Sequence, residues 1–152
     1  LPTDAIVLEE PAVVALIYEK INEAIEEGIE VHTIFSCSML HRGVSDVIWV
    51  QILGTLLDNA IEACDRVSER ERLVKIFMKV ERKNLFIEIK NRYDGTIFES
   101  QDGRLISRKD NPQEHGMGLR IMHELLEHAD GNVETMWDEQ MFTLRVMIYH
   151  VI

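Results

Sequence analysis

The chain has 152 residues, 46% of them hydrophobic and 28% charged, and carries a net charge of −11 from 27 acidic and 16 basic residues. That length supports one well-formed core, so residues 1–152 are read as a single domain. The negative surface repels phosphate backbones and argues against nucleic acid as a partner. It also repels a free nucleotide at long range, so a nucleotide site here needs local backbone donors, a few cations and a metal. No apolar run approaches the roughly 20 residues that span a bilayer. Leu1 stands in place of an initiator Met, with no basic-then-apolar leader behind it, so the sequence reads as a soluble fragment of something longer. Cys37 and Cys64 lack metal-ligand spacing and read as reduced, small apolar filling.

In chain order, residues 11–27 predict a helix. Pro11 suits its first position, Val13, Leu16, Ile17, Ile21, Ala24 and Ile25 form a stripe of period 3.6, and Gly28 is the natural stop. Ile29, Val31, Thr33 and Phe35 alternate as a half-buried strand. Asp46 can cap a long helix that runs to about Cys64. Val74, Ile76, Met78 and Val80, then Leu85, Ile87 and Ile89, predict an antiparallel hairpin around the polar Glu81–Asn84 segment.

Residues 92–114 break the pattern. Two Asp-Gly pairs, Pro112 and many polar residues leave only short apolar patches at Ile97-Phe98 and Leu105-Ile106. A loop of this length in a compact domain is usually functional or disordered. A helix is predicted from about Leu119 to Ala129, with Gly131 at its end. Two alternating runs follow, Val133-Thr135-Trp137 and Phe142-Leu144-Val146-Ile148. Hairpins with helices between them predict an α+β fold: a two-layer sandwich with a mixed, mostly antiparallel sheet and helices on one face.

Three groups of residues exceed what such a fold needs. Beside the apolar stripe Trp49, Leu53, Leu56, Leu57, Ala60 and Cys64, the long helix carries a polar ribbon of Gln51, Thr55, Asp58, Asn59 and Glu62. A solvated face explains the ribbon, yet Asp-Asn in mid-helix is poor helix chemistry, and a ligand explains it as well. His115-Gly116-Met117-Gly118-Leu119 opens the later helix. Its glycines either form a hinge or let backbone N–H groups approach an anion at a helix N-terminus. At the end of the second hairpin strand, Asn91 can read the edge of a planar ring, while Asp94-Gly95 is explained by a turn alone. Neither a P-loop nor a dinucleotide-binding Gly-x-Gly-x-x-Gly is present.

Taken in order, these segments resemble the GHKL ATPase superfamily. Ile52-Leu53-Gly54-Thr55-Leu56-Leu57-Asp58-Asn59-Ala60-Ile61-Glu62-Ala63-Cys64 looks like its asparagine box, and His115 to Leu119 like its second glycine box. Within the superfamily the chain is most similar to the ATP-binding catalytic domains of sensor histidine kinases of the peptide-quorum-sensing type. The shared elements are the Asn91-to-Gly95 run, a Ser-x-Lys element at Ser107 to Lys109, and the first helix with Lys20, Ala24, Gly28 and Ile29.

The resemblance implies Mg-ATP binding beneath a lid at about 92–114, and transfer of the γ-phosphate to a histidine on separate dimerisation helices of the parent. A response regulator would act downstream, and the domain would be the cytoplasmic part of a membrane-bound sensor. It implies roles as well. Asn59 matches the Mg²⁺ ligand, with Thr55, Asp58 and Glu62 beside it. Asn91 stands where most members have the Asp that accepts from the adenine amino group, a bond its carbonyl can still make. Tyr93 replaces a glycine of the first glycine box, and Gly95 keeps the next. Gly116 and Gly118 match the phosphate-approaching glycines, with Met117 between them, Leu119 beneath the base or ribose, and His115 ordering the lid. Lys109 is either the phosphate cation or a solvated lysine. Phe142 resembles a phenylalanine of the penultimate strand region. Thr55 stands where ATP-hydrolysing motors carry a general-base Glu, which favours a kinase. His123, Glu124 and His128 read as surface residues. An anti-sigma-factor-type serine kinase and a degenerate, nucleotide-poor interaction module are the alternatives.

Overall fold

The computed structural model describes residues 11–36, 46–96, 98–99, 105–106, 124, 126–127 and 130–149. Helix α1 (Pro11–Glu26) leads to strand β1 (Glu30–Ser36) and to helix α2 (Asp46–Cys64). Strands β2 (Leu73–Glu81) and β3 (Asn84–Arg92) follow, then the two-residue strands β4 (Phe98–Glu99) and β5 (Leu105–Ile106). Strands β6 (Gly131–Trp137) and β7 (Met141–Ile148) complete the order.

The main sheet has five strands in the order β1-β2-β3-β7-β6. Its β1–β2 pair is parallel, and the β2–β3, β3–β7 and β6–β7 pairs are antiparallel. Both helices cover one face: α1 packs on α2 and β1, and α2 packs on β2 and β3. This is the expected two-layer α+β sandwich. The core lies between the layers, where Val13, Ile17 and Ile21 of α1 and Trp49, Leu53, Leu56 and Leu57 of α2 meet Ile76, Met78, Ile87, Ile89 and Val146 of the sheet.

Local chemistry sets the boundaries. Gly28 stops α1 at φ +78°, a left-handed conformation that costs glycine little. Arg72 then binds the ends of both helices. Its guanidinium donates to the carbonyl of Glu27 at 2.7 Å and to those of Val67 and Asp65 at 3.1 and 3.5 Å. Helix C-termini leave carbonyls without intrahelical partners, and one planar fork serves both. The β2–β3 turn has two central residues, Arg82 and Lys83, both at positive φ (51° and 69°), as a type I′ hairpin requires.

Four expectations need correction. Ile25 is 50% exposed, because it sits one position around the helix from buried Ala24. The left-handed residue before β6 is Asp130 (φ 54°), and Gly131 is already the first residue of the strand. The 92–114 stretch contains β4 and β5, which pair Phe98 with Ile106 and Glu99 with Leu105 at the two apolar patches. Finally, Val47–Cys64 is long and apolar enough to cross a membrane by length and composition, with a mean hydropathy of 1.3. Its burial against α1 and the sheet makes it a core helix. The predicted helix from Leu119 to Ala129 is described at residues 124, 126 and 127, which are helical, with Leu126 in the core.

Candidate functional site

The apolar stripe of α2 binds the helix to the sheet, so its polar ribbon is presented at the margin of the core. Thr55, Asp58, Asn59 and Glu62 are all half-buried, and Gln51 is exposed. One side of the ribbon faces α1. Lys20 Nζ lies 2.7 Å from Asp58 Oδ1 and 3.5 Å from Glu23 Oε2. The hydrogen bond to Asp58 raises the Lys20 pKa above its ordinary value, against the opposing effect of burial. Asp58 is thereby a tie between helices, a role its sequence position does not reveal.

The C-terminal end of α2 rests on the start of β2 and the end of β3. Cys64 is fully buried there, with Sγ 3.6 Å from the carbonyls of both Leu73 and Arg92. Burial pushes its thiol pKa up, as expected for apolar filling. The same contact seats the C-terminal end of α2 beside the end of β3, where Asn91 precedes Arg92. Asn91 is 3% exposed, and its Nδ2 donates to the Arg92 carbonyl at 2.9 Å. With the amide N–H₂ committed in this way, the Oδ1 end is the one oriented to accept.

The chain then turns through Tyr93 to Gly95. Asp94 Oδ1 accepts from the Thr96 N–H at 3.0 Å, and Gly95 has φ +85° with the Glu139 carbonyl 3.3 Å from where a Cβ would stand. Tyr93 reaches the β6–β7 turn. Its N–H donates to the Gln140 carbonyl, its hydroxyl donates to the Asp138 carbonyl, and its ring meets Phe142 edge-on at 6.0 Å. Burial, followed by the Asp138 and Glu139 charges, raises the Tyr93 pKa. Phe142 belongs to β7, the last strand, packs against the core and stacks on Trp137. Lys109, His115, Gly116, Met117, Gly118 and Leu119 lie outside the described residues, as do Cys37, His123 and His128.

The opposite face of the sheet carries a concavity of about 360 Å³ lined by Phe77, Lys79, Phe86, Glu88, Arg145 and Met147, among others. Three of its charged side chains are held in ion pairs: Arg145 Nε lies 2.6 Å from Glu88, and Lys79 Nζ 2.9 Å from Glu81 beside the concavity. Among the described residues, the α2 ribbon and Asn91 lie on the helix side.

Residues 45–149 match the family model described as a GHKL domain. The chain belongs to the GHKL family. A curated relative of this GHKL domain, the sensor histidine kinase DpiB of Escherichia coli (strain K12), is 30% identical over 128 residues. That match covers 78% of this chain and 23% of DpiB, so the chain spans less than a quarter of the relative's length. Among solved structures, the nucleotide-free catalytic domain of histidine kinase ThkA superposes with a TM-score of 0.68 at 17% identity, covering 91% of this chain and 90% of that one. Full-length ShkA in complex with AMPPNP gives 0.66 at 17% identity, over 95% of this chain and 32% of that one. At such identities these structures establish the fold: the GHKL domain has the architecture of a histidine kinase catalytic domain.

Proposed function

We propose that this GHKL domain is the Mg-ATP-binding catalytic domain of a bacterial two-component sensor histidine kinase, passing the γ-phosphate to a histidine on separate dimerisation helices of its parent. The observation that carries this reading is the buried amide of Asn91 at the end of β3, where the C-terminal end of α2 packs, on a fold of this family. The match to DpiB supports the kinase class.

The donor set fits the group. Among the described residues no three His, Cys, Asp or Glu side chains converge as a metal cage. Mg²⁺ rarely uses such cages, preferring one or two protein oxygens together with phosphates and waters. Asn59 offers the amide oxygen, and bound Mg²⁺ supplies charge neutralisation at the phosphate oxygens. Asn91 Oδ1 accepts from the adenine amino group. Gly116, Met117, Gly118 and Leu119 supply backbone donors and a cover for the base, Lys109 the cation, and His115 the order of the lid over residues 92–114. Thr55 presents a hydroxyl where a general base for hydrolysis would carry a carboxylate, so the phosphoryl group is kept for the protein acceptor. Asp58 and Glu62 flank the ligand, with Asp58 held by Lys20.

The parent is read as a membrane-bound sensor with this domain in the cytoplasm, a response regulator downstream, and the peptide-quorum-sensing type as its class. A nucleotide-poor interaction module is the second reading. It is favoured by Tyr93, whose ring fills the turn where the family has glycine.

Calorimetric titration with ADP and a non-hydrolysable ATP analogue, with and without Mg²⁺ and on Asn59→Ala, tests the proposal. Saturable binding that needs Mg²⁺ and is lost in the variant supports it. A folded chain that binds no nucleotide at millimolar concentration sinks it and leaves the interaction module.

A further inference from the structure

Asn91, Phe142 and Trp137 stand in register across three strands. Asn91 pairs with Phe142 between β3 and β7, and Phe142 pairs with Trp137 between β7 and β6. Directly paired residues project from the same face of a sheet. Phe142 packs against the core, so the whole row lies on the helix side. The indole of Trp137 stacks nearly parallel to the Phe142 ring, with centroids 6.2 Å apart and 12° between planes. Tyr93 also meets the Phe142 ring, at an interplanar angle of 66°. Nevertheless Trp137 is 48% exposed, a large aromatic surface left open to water at the end of the row.

The row therefore combines a buried amide at one end with two stacked aromatic rings leading away from it, the outer one half-exposed. It extends over two strand spacings, roughly 9–10 Å. An acceptor with a flat apolar neighbour is the chemistry that recognises a planar heteroaromatic ring bearing an exocyclic amino group. We infer that Phe142 and Trp137 form an aromatic wall for the nucleoside half of the ligand, with Trp137 a specificity-determining residue that contacts base or ribose while Tyr93 positions Phe142. The inference rests on the nucleotide-site reading above, and adds a determinant that none of the glycine or asparagine motifs contains. It also gives Tyr93 a part in binding, in place of a defect in the first glycine box.

The test compares the 152-residue chain with Trp137→Leu, using Mg-ADP, adenosine and inorganic tripolyphosphate as probes. A half-exposed position at a strand end tolerates leucine, and circular dichroism checks that the fold is kept. Loss of base stacking is expected to weaken ADP and adenosine roughly ten-fold while tripolyphosphate binding stays unchanged. Tryptophan emission of the unaltered chain is expected to shift with ADP and not with tripolyphosphate, and to stop responding in the variant, where buried Trp49 remains. Equal ADP affinity in the two proteins overturns the aromatic wall alone. Absence of ADP binding by the unaltered chain overturns the nucleotide-site reading, and the wall with it.

Discussion

Lys20 of α1 and Asp58 of α2 form an ion pair 2.7 Å long, immediately beside Asn59 in the chain. The side chains are 19% and 47% exposed, so water screens the pair only in part. Lys20→Met is expected to cost about 0.5–1 kcal/mol of stability near neutral pH, as measured by urea denaturation. Because the pairing raises the Lys20 pKa, its contribution is fully present below the ordinary lysine value of 10.5 and fades as pH rises through the higher folded value. Unaltered chain and variant should therefore converge in stability in strong alkali. A gap that persists there would assign the effect to lost packing of the lysine stem.

Arg72 joins the carbonyl ends of α1 and α2 with three hydrogen bonds from one guanidinium. Charge-assisted bonds of this kind contribute about 1.5–3 kcal/mol each when a partner would otherwise be left bare. Arg72→Met is expected to lower stability by about 2–3 kcal/mol. Arg72→Lys should recover only part of that loss, since an ammonium cannot reproduce the planar fork. Equal stability of the lysine variant and the unaltered chain would refute the geometric argument.

The Arg82-Lys83 turn places two side chains at positive φ. Each L residue there carries a backbone cost of about 1–2 kcal/mol that asparagine and glycine largely avoid. Replacing the pair with Asn-Gly should raise the thermal midpoint, with a gain of about 1 kcal/mol. No change in midpoint would mean that the turn conformation is already favoured by its long side chains.

Asp138 accepts from the backbone N–H groups of Gln140 and Met141 at 2.8 Å, and these two bonds hold its pKa below the ordinary value. Its contribution to folding is present above the unfolded value of about 3.8 and is lost as pH falls through the lower folded one. Carboxyl NMR titration should find Asp138 among the last aspartates to protonate. Because the Tyr93 hydroxyl donates to the Asp138 carbonyl, Tyr93→Phe should alter the Asp138 and Gln140 amide shifts more than those of β1. Unperturbed Asp138 amides would show that the turn is ordered without tyrosine.

Thr55→Glu tests the reading of the α2 ribbon as a kinase site. A carboxylate at a general-base position contributes about 10²–10⁴-fold to hydrolysis. The variant is expected to release phosphate from Mg-ATP faster than the unaltered chain. Unchanged hydrolysis, in a variant that still binds nucleotide, would place Thr55 away from the reacting phosphate.

Hydrophobic period alone locates α1, α2, β2, β3, β6 and β7, because each element buries one face and repeats that fact every 2 or 3.6 residues. It says less about the margins. Ile25 and Trp137 satisfy the period and still meet water, since the period reports direction and not whether a neighbour covers that direction. Apolarity alone does not separate α2 from a membrane span; packing against α1 and the sheet does. In the site, Asp58-Asn59 stood out because such residues are poor choices in mid-helix. Arg72, the tie of Lys20 to Asp58 and the alignment of Asn91 with Phe142 and Trp137 did not, because each depends on a partner far away in the chain. Asn91 and Phe142 are neighbours only through the β3–β7 pairing.

That pairing has a further effect. Strands β3 and β7 are adjacent near the middle of the sheet, yet residues 93–140 run between them. The polypeptide from the end of β3 to the start of β6 is therefore a closed excursion whose two feet stand on a finished platform. Lengthening a closed loop adds only about 0.6 kcal/mol per doubling. A chain built this way can extend or shorten that excursion while the platform beneath stays folded, provided that the core contact of Leu126 is kept.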